Sequence, residues 1–132
     1  MQEYIPAPSI GIDEMGSPVA VDLTLHPQLL IAGTTRSGKS TAVIVLLICL
    51  IKYFPDYINI VLPDPSGDLS LFNGLPHLSC PVITDFEQFY MALLQLHAEM
   101  MRRNKLKHTD EFKQLPYIIF IADEFITMIS GN

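Results

Sequence analysis

The sequence predicts an α/β fold organised around a mainly parallel sheet, and three observations carry that expectation. Leu29-Leu30-Ile31-Ala32 is an apolar strand leading into a glycine-flanked loop, and Thr41 to Phe54 leads out of that loop as a helix. Tyr57 to Leu62 is a β-branched, mostly apolar run with the look of a parallel strand covered on both faces. Tyr117 to Ala122 is a second such run, and it ends in two carboxylates, Asp123 and Glu124.

The loop between the first strand and helix, Gly33-Thr34-Thr35-Arg36-Ser37-Gly38-Lys39-Ser40, is a full match to the phosphate-binding pattern G-x-x-x-x-G-K-[ST]. Glycines at Gly33 and Gly38 let the backbone wrap a polyphosphate closely, so that successive N–H groups point at its oxygens. Lys39 is placed to reach the β and γ phosphates as a mobile point charge. The Ser40 hydroxyl is placed to coordinate the Mg²⁺ that bridges them. The helix that follows aims its positive end at the same charge. Residues Gly33, Thr34, Thr35, Arg36, Ser37, Gly38, Lys39, Ser40 and Thr41 are therefore the expected nucleotide-binding set, with ATP and Mg²⁺ as ligands. The bland alternative is a glycine turn with an accidental Lys-Ser.

At the other end of the chain, Asp123 and Glu124 follow a buried strand in the Walker B arrangement. Asp123 is expected to hold hydrated Mg²⁺, and Glu124 to orient and polarise the water that attacks the γ-phosphoryl. Glu124 and Lys39 are the expected catalytic residues. An acidic pair here separates an NTP hydrolase from a small-molecule kinase, whose acceptor is a substrate hydroxyl.

Composition sets the outer bounds. The 132 residues, 49% of them hydrophobic, suffice for one domain with its own core. The uncharged run from Ala42 to Ile51 falls short of the roughly 20 residues that span a bilayer and reads as a buried helix. The opening residues do not resemble a signal peptide, so cytoplasm is the expected compartment. A formal charge of −6 argues against a surface devoted to nucleic acid, though not against a local patch. Cys49 and Cys80 lack disulfide or zinc spacing, and His26, His77, His97 and His108 lack metal-ligand spacing.

The remaining segments follow from local signals. Ile10 to Ile12 and Val19 to Leu25, around Glu14-Met15-Gly16-Ser17, predict a small N-terminal β ribbon over residues 1–28, ahead of an ATPase core over 29–132. Pro63-Asp64-Pro65-Ser66-Gly67-Asp68 reads equally as a turn or as a ligand loop at the carboxyl edge of the sheet. Pro81-Val82-Ile83 reads as a short strand. Thr84 and Glu87 have capping-box spacing, with Asp85 adding charge at the start of a helix. Its apolar face is Phe86, Phe89, Tyr90, Leu93, Leu94, His97, Met100 and Met101, with His97 packed or at the boundary. Arg102, Arg103, Lys105 and Lys107 close it, complementing the helix dipole or contacting a phosphate backbone. Lys107 to Gln114 reads as a polar connection.

With these residues placed, the chain resembles the motor domain of the FtsK/SpoIIIE family of DNA translocases. The likeness runs through Gly11 to Asp22, Leu29 to Ser40, Asp64-Pro65, Leu69 to Leu78, Pro81 to Asp85, Glu99 to Arg103 and Leu115 to Glu124. It implies an ATP-driven motor of RecA-like, three-layer P-loop NTPase fold. Such motors assemble as a ring, usually a hexamer, and pump double-stranded DNA or, in secretion relatives, protein. A parent tethered at the inner face of the cell membrane is compatible with it. Arg36, Gln28 and Ser66 stand where the family usually has glycine, histidine and lysine, and the segment from Lys105 to Leu115 is short. The strand that normally lies between the phosphate-loop and Walker B strands comes later in such chains, so the sheet is expected to be incomplete at its C-terminal end. The expected function is the ATP-binding part of a translocase motor, with DNA contacts supplied by parts beyond this chain. A noncatalytic nucleotide-binding or assembly module, and a secretion or conjugation ATPase, are the alternatives.

Overall fold

The computed structural model describes residues 6–130, and its backbone divides into one compact unit that ends at Ile58 and a second that begins at Asn59. In the first unit, β1 (Ser9–Ile12) and β2 (Pro18–Ala20) form an antiparallel hairpin, with Gly11 opposite Val19 and an irregularity between Ser9 and Gly11. Asp13 builds the turn: its Oδ1 accepts from the N–H groups of Met15 and Ser17, both at 2.9 Å, and Gly16 takes φ 80°. Pairing runs on beyond the strands, where Leu23 N–H donates to the Pro6 carbonyl at 3.1 Å.

Residues 27–34 carry no ladder, so the strand expected at Leu29 to Ala32 is absent. A strand exists only through its neighbour, and this run finds none among the described residues; Leu30 is 88% exposed. Helix α1 (Lys39–Tyr53) follows the loop and packs on β1. Val43, Leu46, Leu47 and Leu50 form a single buried stripe at helical spacing. The helix is not buried all round, since Val45 and Ile48 on its other face are exposed.

The second unit is built around β3 (Ile58–Val61), whose even and odd residues bond to opposite sides. On one side Ile60 N–H donates to the His77 carbonyl, Ile83 N–H to the Leu62 carbonyl and Asp64 N–H to the Ile83 carbonyl. These contacts are parallel bridges, Ile60 with Leu78 and Pro63 with Ile83, so the expected strand at Pro81 to Ile83 is reduced to a single bridge. On the other side β4 (Tyr117–Phe120) joins β3. Ile121 N–H bonds the Val61 carbonyl and Asp123 N–H the Pro63 carbonyl, both at 3.0 Å. Because both partners advance together, this pair is parallel too. Val61, Ile83, Phe89 and Met128 form a buried cluster, with Ala92, Leu96, Ile118 and Phe120 packed around it.

Helix α2 (Phe86–Leu106) is capped by Asp85, whose Oδ1 accepts from Gln88 N–H at 2.9 Å, rather than by the expected Thr84. Its packed row is Phe89, Ala92 and Leu96. Of the eight residues expected on the apolar face only Phe89 is buried, and the others, His97 included, are exposed. The expected polar connection contains a short helix, α3 (Asp110–Gln114), capped by Thr109. Helix α4 (Phe125–Ser130) ends the described chain. No helix among the described residues is long and apolar enough to cross a membrane.

Candidate functional site

The phosphate loop takes its shape from backbone. Ser37 N–H bonds the Thr34 carbonyl at 3.0 Å, closing a turn so tight that a Cβ on Gly33 would collide with Ser37 Oγ. Gly38 then takes φ 92°, a conformation that glycine adopts without strain, and α1 starts at the next residue. This cap has no side-chain acceptor, and the first turn of α1 carries no acid. Nothing in the cap competes with an incoming anion for the positive end of the helix. Thr34, Thr35, Arg36, Ser37, Ser40 and Thr41 are exposed, and Lys39 is half-buried.

The acidic end belongs to the second unit and is held by the sheet. Its N–H bond to the Pro63 carbonyl fixes Asp123 beside the end of β3, where only 7% of the residue is exposed. Asp123 Oδ1 accepts from Glu124 N–H at 3.0 Å. Glu124 takes φ 52°, is exposed, and supplies the carbonyl that receives Thr127 N–H at the start of α4. Met128 in the core anchors that helix, and Phe125 meets Phe89 edge to face at 6.1 Å. A buried carboxylate and an exposed one thus stand side by side at the carboxyl end of a parallel strand, where α/β proteins place chemistry.

Arg36, at φ 63°, and Glu124 are the non-glycine residues with positive φ among those described. Each such conformation costs about 1 kcal/mol, and both fall on residues singled out for chemistry. For Arg36 the cost falls where the resembled family usually has glycine. For Glu124 it follows only from the turn between strand and helix.

Other expected residues prove structural. Asp64 is fully buried: its Oδ1 accepts from Ser66 N–H at 3.0 Å and Ser66 Oγ at 2.6 Å, and its Oδ2 from Leu69 N–H at 2.8 Å. The Pro63 to Asp68 segment is therefore a turn stapled by its own aspartate. Two of the four cations at the end of α2 are engaged within the unit. Arg102 and Arg103 both hold Glu99, at 2.8 and 2.7 Å, and Arg103 Nη1 also donates to the Pro116 carbonyl at 2.7 Å. This last bond pins the entrance to β4, a positioning role that no local sequence signal carries. The Glu99 carboxyl is held well below its ordinary range, at about 2, by hydrogen bonds from Arg102 and then Arg103.

Comparison with known proteins places the chain among relatives of known name. The DNA translocase FtsK of Pseudomonas putida is 45% identical over 100 residues, which are 74% of this chain and 12% of that protein. The DNA translocase SftA of Bacillus subtilis is 36% identical across 94% of this chain and 15% of its own length. Among solved structures, the cytoplasmic domain of EssC superposes with TM-score 0.73 at 20% identity, over the whole of this chain and 27% of its own. The cytoplasmic domain of the type VII secretion ATPase EccC of Thermomonospora curvata gives 0.67 at 26% identity, over 98% of this chain and 18% of its own. The chain shares the fold of these two domains. The chain spans only a small part of each of these relatives. The FtsK/SpoIIIE family profile matches residues 7–129, and the chain belongs to that family.

Proposed function

We propose that this chain is the ATP-binding and hydrolysing portion of a DNA translocase motor. The observation that carries the reading is the phosphate loop itself: a complete G-x-x-x-x-G-K-S sequence, turned by Gly38 straight into an α1 that supplies no cap of its own. Loop N–H groups and the Lys39 ammonium hold the phosphates, and Glu124, exposed and next to a buried acid, orients and polarises the attacking water. The donor chemistry fits Mg²⁺. In the sequence motifs Ser40 offers a hydroxyl and Asp123 a carboxylate, the oxygen donors that a hard cation takes. Mg²⁺ is ordinarily held by one or two carboxylates plus substrate phosphates, whereas zinc takes three or four side chains. When bound, the ion neutralises phosphate charge, and Ser40 and Asp123 are the residues that the two sequence motifs assign to it.

The relatives named as DNA translocases support DNA as the cargo of the parent assembly; that the DNA is duplex and the assembly a homo-oligomeric ring is what the family resemblance implies. Titration of a fluorescent ATP analogue with Mg²⁺ tests the nucleotide reading. Saturable binding by this chain is expected, lost by at least about 100-fold in Lys39→Ala. In a motor carrying the change, Glu124→Gln should keep binding and lose turnover by about 10²- to 10⁴-fold. Binding indifferent to Lys39 would reject the site, and full activity of Glu124→Gln would leave a noncatalytic assembly module as the better reading. A steep fall of duplex-DNA affinity with salt in the parent assembly would separate DNA from protein cargo.

A further inference from the structure

We propose that the Arg36 side chain is a second cation of the phosphate site, contacting the polyphosphate of the bound nucleotide. The inference rests on the nucleotide-binding reading and goes beyond it, because the loop pattern assigns position 36 to backbone alone. Three observations point to it. Arg36 holds φ 63°, a conformation that a side chain disfavours. Its side chain makes no hydrogen bond or ion pair with any described residue, although the other two arginines of the chain, Arg102 and Arg103, are both tied to Glu99. The guanidinium projects from an exposed loop three residues before Lys39, and no acid lies in that loop or in the first turn of α1 to neutralise it.

A nucleoside triphosphate is the ligand whose chemistry suits this arrangement. Its oxygens accept the forked donors of a guanidinium in pairs, which a lysine ammonium cannot match. The loop already presents its other donors, backbone N–H groups and Lys39, to the same anion.

The test separates charge from backbone freedom. Arg36→Gln keeps the Cβ and removes the charge, Arg36→Gly removes both, and Arg36→Lys keeps both a side chain and a charge. Binding of Mg·ATP and Mg·ADP to the full chain is measured for each, with thermal unfolding as a control for folding. Arg36→Gln and Arg36→Gly are expected to bind ATP about tenfold more weakly than the wild type. Arg36→Lys should fall between them and the wild type, and the losses should shrink as salt is raised. If Arg36 is only tolerated, Arg36→Gly binds ATP as tightly as the wild type or more tightly and Arg36→Gln is unchanged, which overturns the proposal. Wild-type protein that binds no ATP, or binds it regardless of Lys39→Ala, overturns the nucleotide site and this inference with it. Equal losses for ATP and ADP place the guanidinium on the phosphates they share, and a loss confined to ATP places it on the terminal one.

Discussion

The phosphate loop and the acidic strand end are built in opposite ways. Gly33 to Gly38 lies in solvent, takes its shape from one hydrogen-bonded turn and two glycines, and contributes nothing to a core. Asp123 is buried, hydrogen-bonded to a neighbouring strand, and followed by a helix anchored through Met128. A loop shaped by its own backbone turn needs only local sequence to form. A carboxylate kept out of water needs a sheet and a core to keep it there, and so depends on residues far away in the chain.

Removing the core should therefore hurt most. Phe89 is buried among Val61, Ile83 and Met128 and meets the rings of Phe120 and Phe125 at 6.3 and 6.1 Å. Phe89→Ala is expected to cost about 3–5 kcal/mol in chemical denaturation, because the surroundings of a buried ring collapse only partly into the space it leaves. A cost below about 1 kcal/mol would mean that the acidic end is not held by this cluster.

Next comes Asp64. Alanine in its place removes three hydrogen bonds to its side chain and strands the Leu69 N–H in a buried position. A loss of about 2–3 kcal/mol is expected. Asp64→Asn, which keeps one acceptor oxygen, should recover part of it. If nucleotide binding fell while stability held, the Pro63 to Asp68 segment would be a ligand loop after all.

Gly33→Ala probes the other side of the comparison. The added methyl forces Ser37 Oγ to move but meets no core, so nucleotide affinity should drop about tenfold, ~1.4 kcal/mol, while the thermal midpoint stays nearly that of the wild type. A midpoint that fell as far as for Phe89→Ala would show the loop to be coupled to the core, and the contrast would fail.

The same contrast explains which parts of the fold are legible in the sequence. The glycine-flanked turn between Gly33 and Gly38 is, because each of its residues acts within a few positions of itself. β3 and β4 are, because runs rich in branched and aromatic residues such as Ile58 to Val61 and Tyr117 to Phe120 suit a covered parallel strand. Leu29 to Ala32 is apolar too and forms no strand, since composition says nothing of a pairing partner. The face of α2 misleads for a related reason. Apolar residues occupy several rows of a 21-residue helix, and only contact with the sheet selects Phe89, Ala92 and Leu96 from among them. Thr84 and Asp85 are both good caps; the backbone turn, which puts Asp85 at φ −119°, decides between them. Glu124 is legible as a carboxylate after a strand, but its left-handed backbone is not.

The smallest expected effect concerns the pin at the entrance to β4. Glu99 is held at about 2 by hydrogen bonds from Arg102 and Arg103, so its folded-state value lies below the unfolded one near 4.5. A depressed acid contributes stability above its unfolded value and loses it as pH falls through the folded one. The contribution should therefore be complete at neutral pH, decline below about pH 5, and be gone near about pH 2. The group is solvent-accessible, so the effect is modest and weakens with salt. Glu99→Gln should show it as a difference in thermal midpoint from the wild type that is present at neutral pH and vanishes in acid. Arg103 would still reach the Pro116 carbonyl in that variant, so β4 keeps its anchor while the charge goes. A difference that persisted unchanged into acid would assign the role of Glu99 to packing rather than charge, and the entrance to β4 would then rest on the Arg103 bond alone.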